Sequence, residues 1–251
     1  MQRPPRDNKV TEVIDYLRER EGEAMNLGRV VFVSFFNMMG NVIFSKDFIE
    51  MEDRENGEAM EGILLKFDVQ GLNKQNEECL RKFCAKWEDV VRKRREEKAN
   101  NGSKQRDFLD AMLENGFSDD QINILSMELF TGGSETSASV IEWAMAELIK
   151  SPAAMEKVVE EVEREIKGKL VKESDLPRLP YLQACVKESL RMHPPVPLLL
   201  PHRASATCTL MNYTIPKGAQ VHVNVWAIGR DPEKWEDRLV FLHYAASHQN
   251  Y

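Results

Sequence analysis

The spacing of apolar positions divides the chain into a succession of helices followed by a short strand-forming stretch. Residues 10–21 carry Val10, Val13, Ile14 and Leu17 at helical spacing, and residues 27–44 follow as a more apolar run. Arg29, Asn37 and Asn41 interrupt that run, so it falls short of an unbroken membrane span and predicts a buried helix. Residues 48–61 are mainly acidic and read as a polar connection. Helical spacing returns over residues 76–98 and stops at Asn100-Asn101-Gly102-Ser103, a composition that predicts a surface loop.

Ser118 with Gln121 three residues later is a capping-box signature, and no breaker follows until Pro152. Residues 119–150 therefore predict one helix, about 48 Å long at ~1.5 Å per residue. Ser151 and Pro152 supply a cap and a first-turn proline for the next helix, which Gly168 closes. Another helix covers residues 180–192 and stops before Pro194-Pro195. Residues 208–215 and 219–225 read as strands joined in a hairpin through Pro216-Lys217-Gly218. The expected fold class is mainly α with a small β-sheet.

Composition narrows the functional classes. The 251 residues carry 34 Lys and Arg against 41 Asp and Glu, a formal charge of −7, which leaves no general attraction to nucleic acid. With 42% hydrophobic residues the chain can bury a core, which excludes general disorder. Cys79, Cys84, Cys185 and Cys208 are too few and too scattered for a disulfide scaffold, and no Cys-x-x-Cys pair marks a zinc site, so no metal ligands are assigned. The N-terminal Met1-Gln2-Arg3-Pro4-Pro5 lacks the apolar core of a secretory signal. The basic run Arg92-Lys93-Arg94-Arg95 reads as a solvated helix end rather than a nucleic-acid or lipid contact, because cations suit a helix C-terminus.

Two features bear on chemistry. Gly132-Gly133-Ser134-Glu135-Thr136-Ser137 places paired glycines in mid-helix, each costing roughly 1 kcal/mol relative to alanine. Either the bare backbone admits another group and an opened hydrogen-bond ladder frees Glu135 and Thr136 to handle protons, or the pair is a kink packed with small residues. Glu188 and Arg191 stand three apart on one helix face, a common surface pair worth only about 0.2–0.5 kcal/mol when taken alone.

Their order along the chain adds more. The glycine motif, Lys187-Glu188-Ser189-Leu190-Arg191-Met192-His193-Pro194-Pro195, Tyr213-Thr214-Ile215-Pro216-Lys217-Gly218 and Trp226-Ala227-Ile228-Gly229-Arg230-Asp231-Pro232 together resemble the haem-thiolate monooxygenases of the cytochrome P-450 superfamily. Phe35-Phe36-Asn37 and Ile141-Glu142-Trp143-Ala144-Met145-Ala146-Glu147-Leu148 resemble its plant microsomal branch, which oxidises small metabolites such as benzylisoquinoline alkaloids and monoterpenols. The resemblance implies haem b as cofactor, an NADPH-cytochrome reductase and a small hydrophobic substrate as partners, and the endoplasmic reticulum membrane as location. It makes Thr136 the oxygen-activating threonine and Glu135 its acidic partner in proton delivery. Gly132 and Gly133 would line the groove over the haem, and Glu188 and Arg191 form a structural pair. His202 is a haem-propionate contact or a satisfied surface histidine. Leu198, Leu199 and Leu200 line the substrate pocket or pack in a core.

The same resemblance exposes departures. The family's axial ligand is a cysteine thiolate in a loop after a Pro-Glu-Arg-Phe-like segment, and here the chain runs Asp237-Arg238-Leu239-Val240-Phe241-Leu242-His243-Tyr244 and stops at Tyr251. The expectation is a partial family domain over residues 1–242, a non-family tail over residues 243–251, and an inactive chain. The alternatives are a non-catalytic helical fragment or an artefact of the gene's reading. No membrane anchor precedes the family-like part, which leaves a cytoplasmic chain as the alternative location. The link over residues 58–67 reads as shorter than the family's pocket-roofing region. Arg191 is expected to lack the arginine-containing segment that completes its network, and residues 119–150 to leave apolar faces exposed.

Overall fold

The computed structural model describes residues 5–52, 74–101, 107–169 and 171–241, so the link over residues 58–67 and the tail from residue 243 lie outside the described residues. Helices dominate: α1 (Pro5–Glu19), α2 (Leu27–Phe44), α3 (Lys74–Asn101), α4 (Phe108–Glu114), α5 (Asp119–Lys150), α6 (Pro152–Ile166), α7 (Pro180–Met192) and the one-turn α8 (Val225–Ile228). The chain divides into two compact units, Met1–Ser139 and Val140–Tyr251. The expected mainly α class with a little β-structure is what the chain adopts.

In the first unit α2 is the buried element. Asn26 caps it by accepting from the Arg29 N–H, and Ser45 ends it in a left-handed conformation. Contrary to the expectation, the helix is long and apolar enough to cross a membrane by length and composition, with a mean hydropathy of 1.5, because Arg29, Ser34, Asn37 and Asn41 do not offset its Val, Ile and Phe content. It is nevertheless the buried helix the pattern predicts, 61% of it enclosed by protein. Phe36 and Phe44 of α2, Trp87 of α3 and Phe130 of α5 form an aromatic core, with ring centroids 4.5 Å apart for Phe36–Phe130 and 5.0 Å for Trp87–Phe130. Asn37 is buried among them because its amide serves the returning chain, donating to the Ile49 carbonyl at 2.6 Å and accepting from the Phe48 and Ile49 N–H groups.

The basic run at the end of α3 needs a correction. Arg92, Lys93 and Arg95 are solvated, but Arg94 is buried and pairs with Asp107 at 2.9 Å and Asp110 at 3.0 Å, the residues that form the capping box of α4. Burial alone would raise the Asp110 carboxyl, but Lys98 and Arg94 outweigh it and hold it below the ordinary carboxylate range. A carboxyl depressed on folding binds its proton more readily in the unfolded chain. Its contribution to stability is therefore complete above the ordinary carboxylate pKa and lost as pH falls through the lower folded value. We expect the first unit to lose hydrogen-exchange protection on acidification below about pH 4, and Asp110→Asn to flatten that pH dependence.

The second unit is built around α6 and α7. Ala154 and Val158 of α6, Cys185 and Met192 of α7, Leu148 of α5 and Phe241 form its core. Ser151 stands at the cap position with Pro152 in the first turn, but its side chain makes no cap hydrogen bond, and α6 ends at a left-handed Lys167 before the left-handed Gly168. The strands depart from the sequence pattern. Residues 208–215 are a hairpin in themselves, β2 (Cys208–Leu210) pairing antiparallel with β3 (Tyr213–Ile215) across Met211 and Asn212, whose φ values are 50° and 67°. Pro216-Lys217-Gly218 instead leads to β4 (Gln220–Val221), which pairs with β1 (His202–Arg203). Asn224 then caps α8 through the Ala227 N–H, so the alternating run ends in a helical turn rather than a strand.

Candidate functional site

The glycine motif lies on a helix without interruption. Residues 119–150 are α-helical throughout, and Ser118 and Gln121 close the expected capping box reciprocally at 3.3 and 2.9 Å. Of the two readings of the glycine pair, the opened ladder is not seen: the helix is continuous through it, and the Thr136 hydroxyl donates to the Gly132 carbonyl at 2.6 Å, one turn earlier. The two glycines differ. A Cβ at Gly132 meets nothing within 4 Å, whereas one at Gly133 comes to 2.8 Å from Met39 Sδ. Gly133 is thus a packing contact for α2, and Gly132 presents bare backbone to open space. Glu135 and Thr136 are half-buried beside it.

That difference gives a measurable consequence. Gly132→Ala relieves the helical penalty of glycine and should stabilise the first unit by up to about 1 kcal/mol. Gly133→Ala must displace the Met39 thioether, so its gain should be smaller or nil. Denaturant midpoints read by hydrogen exchange of peptides from α5 distinguish the two, and equal gains refute the assignment.

In the second unit, α7 positions the Glu188–Arg191 pair. Arg191 donates Nε to Glu188 Oε2 at 2.8 Å and Nη2 to Oε1 at 2.6 Å, a two-pronged pair with both side chains buried. Main-chain carbonyls take up the remaining guanidinium donors. Nη1 donates to the carbonyls of Gly229 at 2.6 Å and Arg238 at 3.0 Å, and Nη2 to that of Val240 at 3.1 Å. Trp235 lies against it, 4.7 Å from ring centroid to guanidinium carbon. A Cβ at position 229 would stand 2.6 Å from the Arg191 carbonyl, which is why glycine occupies it.

The remaining sequence-assigned residues are also in this unit. Leu198, Leu199 and Leu200 are exposed, Leu200 at 75%, so core packing does not account for them. Their loop is tied down by main chain, Val223 donating to the Leu198 carbonyl and Trp226 to that of Pro197. Leu199 sits at φ 52°, an unusual conformation for a bulky residue. His202 is exposed on β1 opposite Val221. Sequence reasoning missed a cluster at the end of α7. His193 Nε2 lies 2.9 Å from Glu147 Oε1, and its ring stacks on Trp143 with centroids 3.9 Å apart. Burial would raise the Glu147 carboxyl, but His193 and Lys150 outweigh it and keep it below the ordinary range. The signal was present as Trp143 and Glu147 four apart on α5, yet nothing local announces a histidine 46 residues away as their partner.

Haem is the group the motifs imply, and its fit divides. The open backbone at Gly132 offers room on one side. Of the described thiols, Cys185 is enclosed in the apolar core, where burial and the charges of Glu161 and Glu188 push its pKa up to about 11, and Cys208 is exposed on β2. The side chains of Cys79 and Cys84 lie outside the described residues. Among the described residues no group of three or more His, Cys, Asp or Glu side chains is placed to hold a metal ion.

Comparison with known proteins gives the ancestry. The family model for cytochrome P450 matches residues 3–242. Corytuberine synthase of Coptis japonica is 45% identical over 94% of this chain and 52% of its own length. (S)-N-methylcoclaurine 3′-hydroxylase isozyme 1 of Eschscholzia californica is 44% identical over 94% and 53%. A zebrafish cytochrome P450 solved with progesterone superposes with a TM-score of 0.84 at 25% identity, covering 98% of this chain and 62% of that one. The chain spans about half the length of the curated relatives it matches. With the family model matching almost its whole length and these plant proteins 44–45% identical to it, the chain belongs to the cytochrome P450 family.

Proposed function

We propose that the chain carries the oxygen-side and substrate-side portion of a haem-dependent monooxygenase that oxidises a small hydrophobic plant metabolite, an alkaloid or terpenoid. Family membership supplies the reaction class, and the names of the relatives, a hydroxylase of N-methylcoclaurine and a corytuberine synthase, point to the alkaloid. The observation that carries the assignment within this chain is the bare backbone of Gly132 facing open space one turn before Thr136. In this reading Gly132 lines the cofactor groove, with Gly133 beside it letting Met39 pack close behind, and Thr136 and Glu135 hold and pass protons beside it. His202 contacts a haem propionate, Leu198, Leu199 and Leu200 line the substrate pocket, and Glu188 and Arg191 are structural. An NADPH-cytochrome reductase at the endoplasmic reticulum membrane supplies electrons. Residues 1–242 are the family part and residues 243–251 a tail outside it.

Cys185 is enclosed in the core and Cys208 stands on the exposed hairpin, neither in a glycine- and arginine-bearing loop of the family's kind, so the 251-residue chain is proposed to be non-catalytic by itself. A reduced carbon-monoxide difference spectrum of the chain supplied with haem tests this. The expected result is no uptake or an unshifted band. A red-shifted Soret band of thiolate ligation overturns it and directs attention to Cys79, Cys84, Cys185 and Cys208 in turn.

A further inference from the structure

We propose that Glu161 is a positioning residue: its buried carboxylate, delivered from α6, caps the N-terminus of α7 and so sets the helix on which Glu188 and Arg191 are mounted. The backbone donors of α7 account for the need. The cap residue Leu179 offers no side-chain acceptor, and Pro180 at the first helical position has no N–H. Gln183 N–H reaches the Leu179 carbonyl at 3.1 Å, the first regular helical bond. That leaves the N–H groups of Tyr181 and Leu182, and they donate one each to Oε1 and Oε2 of Glu161, both at 2.9 Å.

The burial of that carboxylate is hard to explain in any other way. Glu161 is 5% exposed on the face of α6 that also carries Ala154 and Val158, a face that is otherwise apolar. Burying a carboxylate costs several kcal/mol unless it is compensated. The compensation visible here is two main-chain N–H groups at the positive end of a helix, where anionic acceptors bind best. The charge is also felt by its neighbours: burial, with Cys185 and Glu161 adding to it, pushes the Tyr181 phenol up to about 12.

The consequence is a chain of positioning from α6 to the segment beyond β4. Glu161 fixes the start of α7, and ten residues later Arg191 reaches the carbonyls of Gly229, Arg238 and Val240. A helix that frays or turns at its N-terminus carries Arg191 with it. This holds whether or not the chain supports haem chemistry, so it stands apart from the activity proposed above.

The test compares Glu161→Ala, Glu161→Gln and, as a packing control on the same face, Val158→Ala. Amide exchange at Tyr181 and Leu182 and the Arg191 Nε–H resonance are followed by NMR on the 251-residue chain. Glu161→Ala is expected to speed exchange at both amides about tenfold or more and to shift or broaden the Arg191 Nε–H signal. Glu161→Gln keeps one acceptor oxygen and should protect one of the two amides, which preserves the test if the alanine variant does not fold. Val158→Ala should leave both amides and the Arg191 signal in place. Equal effects of Glu161→Ala and Val158→Ala, or an unmoved Arg191 resonance in both Glu161 variants, overturn the proposal.

Discussion

Arg191→Ala is expected to destabilise the second unit by about 3–5 kcal/mol. The deletion leaves Glu188 as a buried carboxylate, 3% exposed, without its cation. It also removes the donors to three main-chain carbonyls, at Gly229, Arg238 and Val240, which lie in a stretch with little regular structure of its own. Unsatisfied polar groups of that kind cost about 1–3 kcal/mol each where they stay buried. Loss of protection should therefore be greatest over residues 225–241 and on α7. Arg191→Lys retains the charge but not the planar fork, so it cannot serve Glu188 and the carbonyls together, and an intermediate loss is expected. Hydrogen exchange of peptides from these two regions, with urea midpoints for both variants, is the measurement. Unchanged protection over residues 225–241 in Arg191→Ala means that the guanidinium does not hold this stretch.

The contrast between Arg191 and its surroundings shows which features were legible. The Glu188–Arg191 spacing could be read directly, because two side chains three apart on a helix face each other. Its carbonyl partners could not, since any residue carries a carbonyl and those at positions 229, 238 and 240 have no compositional mark. Helices were legible where their ends carry chemistry: Ser118 with Gln121 for α5, and Pro180 for α7. The sequence pattern points to a hairpin one turn too late because Pro216 and Gly218 are stronger local punctuation than Met211 and Asn212. The tight turn nevertheless fell on the latter, where Asn tolerates a left-handed backbone and the flanking Leu210 and Tyr213 pair. For the candidate site, the motif located Gly132 and Thr136. The motif does not separate an open Gly132 from a Gly133 packed on Met39, because that distinction lies in a contact with another helix. Glu161 carried a weak signal, an acid on the Ala154–Val158 face, whose meaning depends on a helix start some twenty residues on.

Arg94 is the extreme case of this long-range dependence, and its removal should be as severe. The residue sits within a run of four cations that reads as solvated, yet its side chain is 5% exposed and those of Asp107 and Asp110 are 2% and 5% exposed. Arg94 donates to both Asp107 oxygens, at 3.0 and 2.9 Å, and joins α3 to the cap of α4, while Asp107 also accepts from the Ser45 hydroxyl beyond α2. Arg94→Ala leaves the buried Asp107 carboxylate without its cation and Asp110 with Lys98 alone, and a loss of about 3–5 kcal/mol in the first unit follows. The neighbouring Arg92 is a control, because its pairs with Asp89 and Glu96 are exposed and such pairs contribute about 0–1 kcal/mol. The argument also predicts a rescue. Asp107→Asn keeps an oxygen that can cap α4, and Asp110→Asn removes the second charge, so adding both to Arg94→Met should recover much of the loss. Denaturant unfolding followed by exchange of peptides from α3 and α4 measures all of these variants. A triple variant no more stable than Arg94→Met places the cost in lost hydrogen bonds, whereas recovery places it in the uncompensated buried charge.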